Sequence, residues 1–272
     1  MITFLFWNIQ KKPLADRVRN LVAAHAADLI VLAECRTPPT TIVAALDATE
    51  RGPFALVAGS GTDLQVYTRL PTARWRWLYT DPLEAWLAFR VQIGRRPAFL
   101  LFVAHLPSKL HAKEPDQLLT AGRLAESIRA TEAQQTHDRT LVVGDLNANP
   151  FEAPVVSAGA LHAVMSRTLI ERRGGERGVQ GARYPFFYNP MWGVFGDRTP
   201  GPPGTYYRTS SESVNYFWNT YDQVLLRPAL MNRLHDVTVP VTDGMNSLLT
   251  AGGLPDATNG SDHLPLVFTL DW

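Results

Sequence analysis

Residues 2–9 form an apolar run of β-branched and aromatic side chains that ends at the polar positions Asn8 and Gln10, the pattern of a buried strand. Between 14 and 27 the spacing changes. Leu14, Val18, Leu21, Val22 and His25 recur every three or four residues and mark one face of a helix. Asp28 then leads into five unbroken apolar residues, Leu29–Ala33. Strand, helix and strand in this order predict a crossover unit whose sheet is covered on both faces.

Strand patterns follow at 54–58, 64–68, 74–79, 85–93 and 98–106. Tight connections such as Ile93-Gly94-Arg95-Arg96-Pro97 predict antiparallel hairpins among them. Leu118, Ala121, Ala125 and Ile128 outline the face of a second long helix, and 140–146 reads as another buried strand. Later strands are expected at 216–226, 233–239 and 264–270. Strands outnumber helices and the helices are amphipathic, which predicts sheets packed face to face with helices outside. No short repeat is visible.

The stretch 171–204 breaks these patterns. Arg172, Arg173, Arg177 and Arg183 alternate with glycines, and five prolines follow from Pro185 to Pro203. Tyr184, Phe186, Phe187, Tyr188, Met191, Trp192 and Phe195 make it too apolar for a disordered tract. It is expected to be a long ordered loop packed near the functional site.

Composition narrows the picture. A chain of 272 residues, 46% of them hydrophobic, is long enough to bury a large core. It is read as a single domain over 1–272. The net charge of +1 is small for a protein that coats nucleic acid, yet leaves a nucleic-acid substrate open. One cysteine, Cys35, rules out a disulfide within the chain and a thiolate zinc cluster. The apolar N-terminal run lacks a basic preface and is too short for a signal peptide or membrane span, so no membrane insertion and a cytoplasmic location are expected.

The chemistry lies where polar groups interrupt apolar strands. Asn8 follows Phe4-Leu5-Phe6-Trp7, Glu34 follows Leu29–Ala33, and His105 ends a seven-residue apolar run. Asp145 and Asn147 end Leu141-Val142-Val143-Gly144-Asp145-Leu146-Asn147. Asp222 sits in Tyr221-Asp222-Gln223-Val224-Leu225, and Asp262 and His263 precede Leu264-Pro265-Leu266-Val267. An ionisable group at a buried strand end costs desolvation energy unless it is paired or bound to a cation. Several in one chain point to one shared pocket. Carboxylate and amide oxygens suit hard cations such as Mg²⁺ or Mn²⁺.

Taken together, Trp7-Asn8-Ile9, Leu32-Ala33-Glu34-Cys35-Arg36, Val103-Ala104-His105-Leu106-Pro107, Gly144-Asp145-Leu146-Asn147, Tyr221-Asp222-Gln223 and Ser261-Asp262-His263-Leu264-Pro265 resemble the endonuclease/exonuclease/phosphatase superfamily. The resemblance runs from Asn8 to His263 in the family's order. It implies a four-layer α-β-β-α sandwich of two packed mixed β-sheets flanked by helices. It also implies roles: Glu34 as the principal metal carboxylate with Asn8 and Asp262 in support, and Asp145 orienting or deprotonating the attacking water beside Asn147. His263 would contact the phosphate with Asp222 as its carboxylate partner, and His105 would lie near the scissile phosphate. Arg36 stands where some nuclease members place a phosphate-contacting arginine. Lys109, Trp218 and Asn219 are further candidates for substrate binding. The cofactor expected is Mg²⁺ or Mn²⁺.

Each residue also has a plainer reading. Asn8 can cap a turn, His105 can be a satisfied strand histidine, and Arg36 or Lys109 can be solvated surface cations. The aromatics of 171–204 and of Tyr206-Tyr207 can stack bases or form the loop's own small core. Three functions follow: a phosphodiesterase acting on DNA or RNA, most simply an endonuclease; a phosphatase or phosphodiesterase for a small-molecule or lipid head-group phosphate; and a non-catalytic binding module. The last would have lost a metal carboxylate or the histidine pair, and neither is missing. The oligomeric state is not legible.

Overall fold

The computed structural model describes residues 1–61, 63–70, 74–110, 112–198, 200–211 and 213–272. In it the first crossover forms as its spacing requires. Strand β1 (Ile2–Asn8) is followed by helix α1 (Ala15–His25) and strand β2 (Leu29–Ala33). The two strands pair in parallel, with Phe4 opposite Leu29 and Asn8 opposite Ala33. Helix α2 (Pro39–Asp47) comes next, with no counterpart in the expectations above. Strands β3 (Ala55–Leu56), β4 (Leu64–Thr68), β5 (Trp75–Thr80), β6 (Trp86–Val91) and β7 (Phe99–His105) lie within or beside the expected segments.

A second parallel crossover joins β7 through helix α3 (Glu114–Gln135) to strand β8 (Thr140–Asp145). Asp116 accepts the Lys113 N–H at 3.3 Å and Pro115 occupies the first turn, so α3 starts with two helix-opening signals. Ala121, Leu124, Ala125 and Ile128 are buried, but Leu118 is 36% exposed and lies off the packed face.

The remaining elements are short: α4 (Ala153–Val156), β9 (Ala163–Val164), α5 (Arg167–Arg172), β10 (Glu176–Val179), β11 (Ala182–Pro185), β12 (Phe187–Tyr188), β13 (Tyr206–Tyr207), β14 (Trp218–Asn219), β15 (Asp222–Leu226), α6 (Pro228–Met231), β16 (Leu234–Thr238) and β17 (Leu266–Leu270). The expected strand 216–226 is therefore two strands. The break lets Tyr221 accept the Leu146 N–H at 2.8 Å, outside regular β15 pairing.

One sheet runs β16-β17-β1-β2-β4-β3 and the other β5-β6-β7-β8-β15-β12-β9. Both are mixed, and alternate side chains of their central strands face opposite layers. Phe4, Phe6, Val31, Leu101, Val143 and Val224 fill the space between the sheets, where Phe4 stacks on Phe268 at 4.6 Å. Leu5, Trp7 and Ile30 point outward against Val18, Leu21 and Ile42 of α1 and α2. Leu100, Phe102 and Val142 point the other way, against Leu124 and Ile128 of α3. The order helix, sheet, sheet, helix is the expected four-layer sandwich.

Residues 171–204 are not the single long ordered loop that their composition suggested. β10 and β11 form a hairpin, and β12 joins the second sheet between β15 and β9. Phe187 and Met191 enter the cores, because a sheet edge exposes apolar surface that the segment covers. Thr199 lies outside the described residues. No helix among the described residues is long and apolar enough to cross a membrane.

Candidate active site

Both crossovers deliver their strand ends to one rim of the sandwich. β1 ends at Asn8, beside Ala33, and Glu34 follows directly. β7 and β8 end at His105 and Asp145, which lie opposite each other. β15 runs antiparallel to β8 and starts with Asp222 opposite Asp145. Asp262 and His263 arrive on the segment that leads into β17. A cleft of about 120 Å³ there is lined by Glu34, His105, Asp145, Asn147, Asp262 and His263, with Lys109, Tyr206, Arg208 and Tyr221 among its other walls.

Asp145 is the hub. Its Oδ2 accepts the Asn8 side-chain amide at 3.0 Å and lies 3.9 Å from His105 Nε2 and 3.8 Å from His263 Nε2. Its Oδ1 accepts the Asn147 backbone N–H at 2.9 Å. Glu34 Oε1 is 3.3 Å from the same Asn8 amide and 3.8 Å from His105 Nε2. Glu34 and Asn147 both sit in the left-handed backbone region, at φ of 50° and 48°. Asparagine tolerates that conformation and glutamate does so at a cost of about 1–2 kcal/mol, a strain typical of residues held for chemistry.

His263 and Asp222 form a buried pair, with Nδ1 2.9 and 3.1 Å from the two carboxylate oxygens. Burial opposes the imidazolium, but the Asp222 and Asp145 carboxylates outweigh it and raise the imidazole above its ordinary range. On Asp222 the same burial pushes the carboxyl up while His263 pulls it down. Contact through both oxygens favours the ion pair, which leaves a cationic ring with Nε2 turned toward Asp145.

The ring is further held by groups the motifs did not single out for this role. Trp7 Nε1 donates to the His263 carbonyl at 2.8 Å. Ser261 Oγ donates to Asn8 O at 2.7 Å and accepts the His263 N–H at 3.1 Å. The Tyr206 ring lies 4.6 Å from the imidazole and stacks on Tyr221. Thr205 Oγ1 accepts the Asp222 N–H at 3.2 Å. The serine in Ser261-Asp262-His263 carried a signal, whereas an isolated Thr205 carried none.

Several expected residues are placed differently. Asn8 accepts the Gln10 N–H on its Oδ1 at 3.0 Å, so its oxygen is engaged and its amide nitrogen faces the carboxylates. In this orientation it braces Glu34 and Asp145 through its nitrogen. Arg36 is exposed and pairs with Asp63 at 3.5 Å, outside the cleft. Trp218 packs against the layer containing Trp7 and lies T-shaped to Tyr207 at 5.5 Å, because β14 turns it away from the cleft. Asn219 accepts the Asn149 amide at 2.9 Å and lines a neighbouring cavity. Lys109 borders the cleft, but Glu152 holds its ammonium at 2.5 and 2.6 Å. No described residue of 171–204 lines the cleft.

The donor set fits a hard divalent cation. Glu34, Asp145 and Asp262 bring three carboxylates, and the Asn147 amide oxygen is uncommitted while its nitrogen donates to Leu106 O at 2.8 Å. Asp145, Asp222 and His263 also lie close enough to share an ion. Asp222 is fully buried and already satisfied by His263, so the open donors lie on the Glu34 side.

The sequence profile of the Endonuclease/Exonuclease/phosphatase family matches residues 5–263. No curated protein matches the chain in sequence. Among solved structures, an AP endonuclease from Archaeoglobus fulgidus is 14% identical, with both chains fully covered and a TM-score of 0.56. The 3′ phosphatase NExo from Neisseria, bound to a product DNA hairpin, is 16% identical over the whole of both chains with a TM-score of 0.57. TDP2 of D. rerio, complexed with a single-strand DNA product, is 16% identical over 100% of this chain and 99% of that one, with a TM-score of 0.53.

Proposed function

Because this chain belongs to the Endonuclease/Exonuclease/phosphatase family, whose members are hydrolases acting on phosphate esters, we propose that it cleaves phosphodiester bonds of DNA or RNA with Mg²⁺ or Mn²⁺. The observation that carries this reading is the meeting of Glu34, Asp145, His105 and His263 around one 120 Å³ cleft from four separate parts of the chain. Two of the similar structures hold DNA products, which favours nucleic acid over other phosphate esters.

In this reading Glu34 and Asp262 hold the cation, with Asn147 beside them. The cation, when bound, neutralises a phosphate oxygen and the charge growing on the leaving oxygen. His263, kept cationic by Asp222, donates from Nε2 to a second phosphate oxygen. Asp145 accepts the proton of the attacking water, help worth ~10²–10⁴-fold. Asn8 fixes the carboxylate orientation that this step needs, and His105 borders the phosphate.

The test is an assay of supercoiled plasmid, single-stranded DNA, RNA and inositol phosphates with Mg²⁺, Mn²⁺ or EDTA. Asp145→Asn and His263→Gln are expected to lower kcat by ~10²–10⁴-fold with the fold intact, while Arg36→Ala changes it less than about twofold. Cleavage that persists in EDTA or in Asp145→Asn contradicts the mechanism. Turnover of inositol phosphates alone favours the small-molecule reading instead.

A further inference from the structure

A second, larger cavity of about 700 Å³ adjoins the cleft and shares Lys109, Arg208 and Tyr221 with it. That size is in the ~300–1,000 Å³ range of pockets that enclose a whole organic group, far more than a phosphate needs. Its far wall is aromatic. Phe151 and Tyr216 meet edge to face at 5.2 Å, and Phe151 is braced from behind by Phe195 at 5.7 Å. Its near wall carries the Arg208 cation, the Lys109–Glu152 ion pair, and Asn219, whose amide is engaged by Asn149 and the Phe217 carbonyl. Aromatic faces beside the Arg208 guanidinium suit a planar heteroaromatic group attached to a phosphate, and a lining that also holds an ion pair suits a lipid chain poorly.

We propose that this cavity receives one unpaired nucleobase whose phosphate lies in the cleft, so that the chain acts on single-stranded or unpaired nucleotides rather than on continuous duplex. The proposal rests on the phosphodiesterase reading for its cleft, but its own evidence is the cavity. A base in a duplex is stacked and paired, and reaches such a pocket only after leaving the helix. Tyr216 is 49% exposed at the rim, positioned to stack on an entering base. The segment carrying it makes a local turn in which Asn215 Oδ1 accepts the Phe217 N–H at 2.9 Å. The Lys109–Glu152 pair at the junction leaves the ammonium 5.1 Å above the Tyr221 ring, a cation placed between the two compartments.

Binding separates this inference from the reading beneath it. The full chain in EDTA is titrated with fluorescent oligothymidylate, with the same backbone carrying abasic tetrahydrofuran units, and with duplex of the same sequence. The base-bearing single strand is expected to bind at least about tenfold more tightly than either competitor. That ratio is expected to collapse toward one in Tyr216→Ala and in Phe151→Ala, and to be restored in Tyr216→Phe. Equal affinity for base-bearing and abasic strands overturns the proposal, as does a preference that survives both alanine variants. Competition by thymidine 5′-monophosphate as strong as by the oligomer assigns the cavity to free nucleotides and overturns the strand claim. Addition of Mg²⁺ or Mn²⁺ then tests cleavage: base-dependent binding without hydrolysis sinks the phosphodiesterase reading and leaves the cavity assignment standing.

Discussion

Asn8 illustrates how one residue type supports two roles that a sequence does not separate. An amide after an apolar strand can offer oxygen to a cation or nitrogen to carboxylates, and in this structure the nitrogen meets Glu34 and Asp145 while the oxygen accepts the Gln10 N–H. Cys35, next to Glu34, is fully buried, and burial pushes its thiol up to about 11. Native protein near neutral pH is therefore expected to resist a thiol-specific reagent such as DTNB, with reaction appearing only on unfolding; rapid labelling of folded protein would contradict the packing. His162 is buried against Phe186 at 4.3 Å, and burial lowers its basicity below 6.5. The unfolded chain then binds the proton more readily. Stability from neutral His162 is complete above about pH 6.5 and declines as the pH falls below it. The loss of Tm between about pH 7.5 and 5.5 should be smaller in His162→Phe than in the native chain, and equal losses would show that another group governs acid sensitivity.

At the scale of elements, two strand–helix–strand crossovers do the positioning. Each places two parallel strand ends at the same rim, so Asn8 and Glu34 come from one sheet and His105 and Asp145 from the other. Their apolar periodicity was strong enough to be read directly, because a strand buried on both faces has no alternation to confuse with a loop. Helix α2 escaped notice because it is nine residues long, opens with Pro39 and the β-branched pair Thr40-Thr41, and buries only Ile42 and Leu46. The 171–204 segment was misjudged because two-residue strands such as β12 gain their structure from neighbours. The tightest joint is Gly144: a Cβ there would lie 1.9 Å from the Ala104 carbonyl oxygen. Gly144→Ala is expected to destabilise by ~3 kcal/mol through overpacking. By parting β7 from β8 it should also lower kcat about tenfold or more, since both His105 and Asp145 move. Thermal melts and kinetics check this, and native stability with full activity would count against the close approach.

Across the whole molecule, the outer helix layer is locked to the second sheet by a buried ion pair. Arg227 Nε and Nη2 meet the two Glu132 oxygens at 2.8 and 3.1 Å, Thr140 donates to the same carboxylate at 2.6 Å, and the guanidinium lies over Phe187 at 3.9 Å. Removing one partner strands a buried charge, so Arg227→Met is expected to cost ~3–5 kcal/mol and to lower Tm by roughly 10 °C. Truncating both partners should be less damaging than the sum of the single changes, a difference that a double-mutant cycle measures. The amino-acid order alone determined the alternation of strands and helices and the strand-end identities of Glu34, His105, Asp145, Asp222 and His263, because hydrophobic periodicity and a buried charge's need for a partner are local properties, while the four-layer class followed from the family resemblance those residues carry. Only the tertiary structure decided that Arg36 and Trp218 face elsewhere, that Tyr206 covers His263, and that an aromatic cavity opens beside the cleft. Those outcomes depend on the direction in which a short strand or turn aims its side chains once distant layers have packed, and no local pattern encodes that direction.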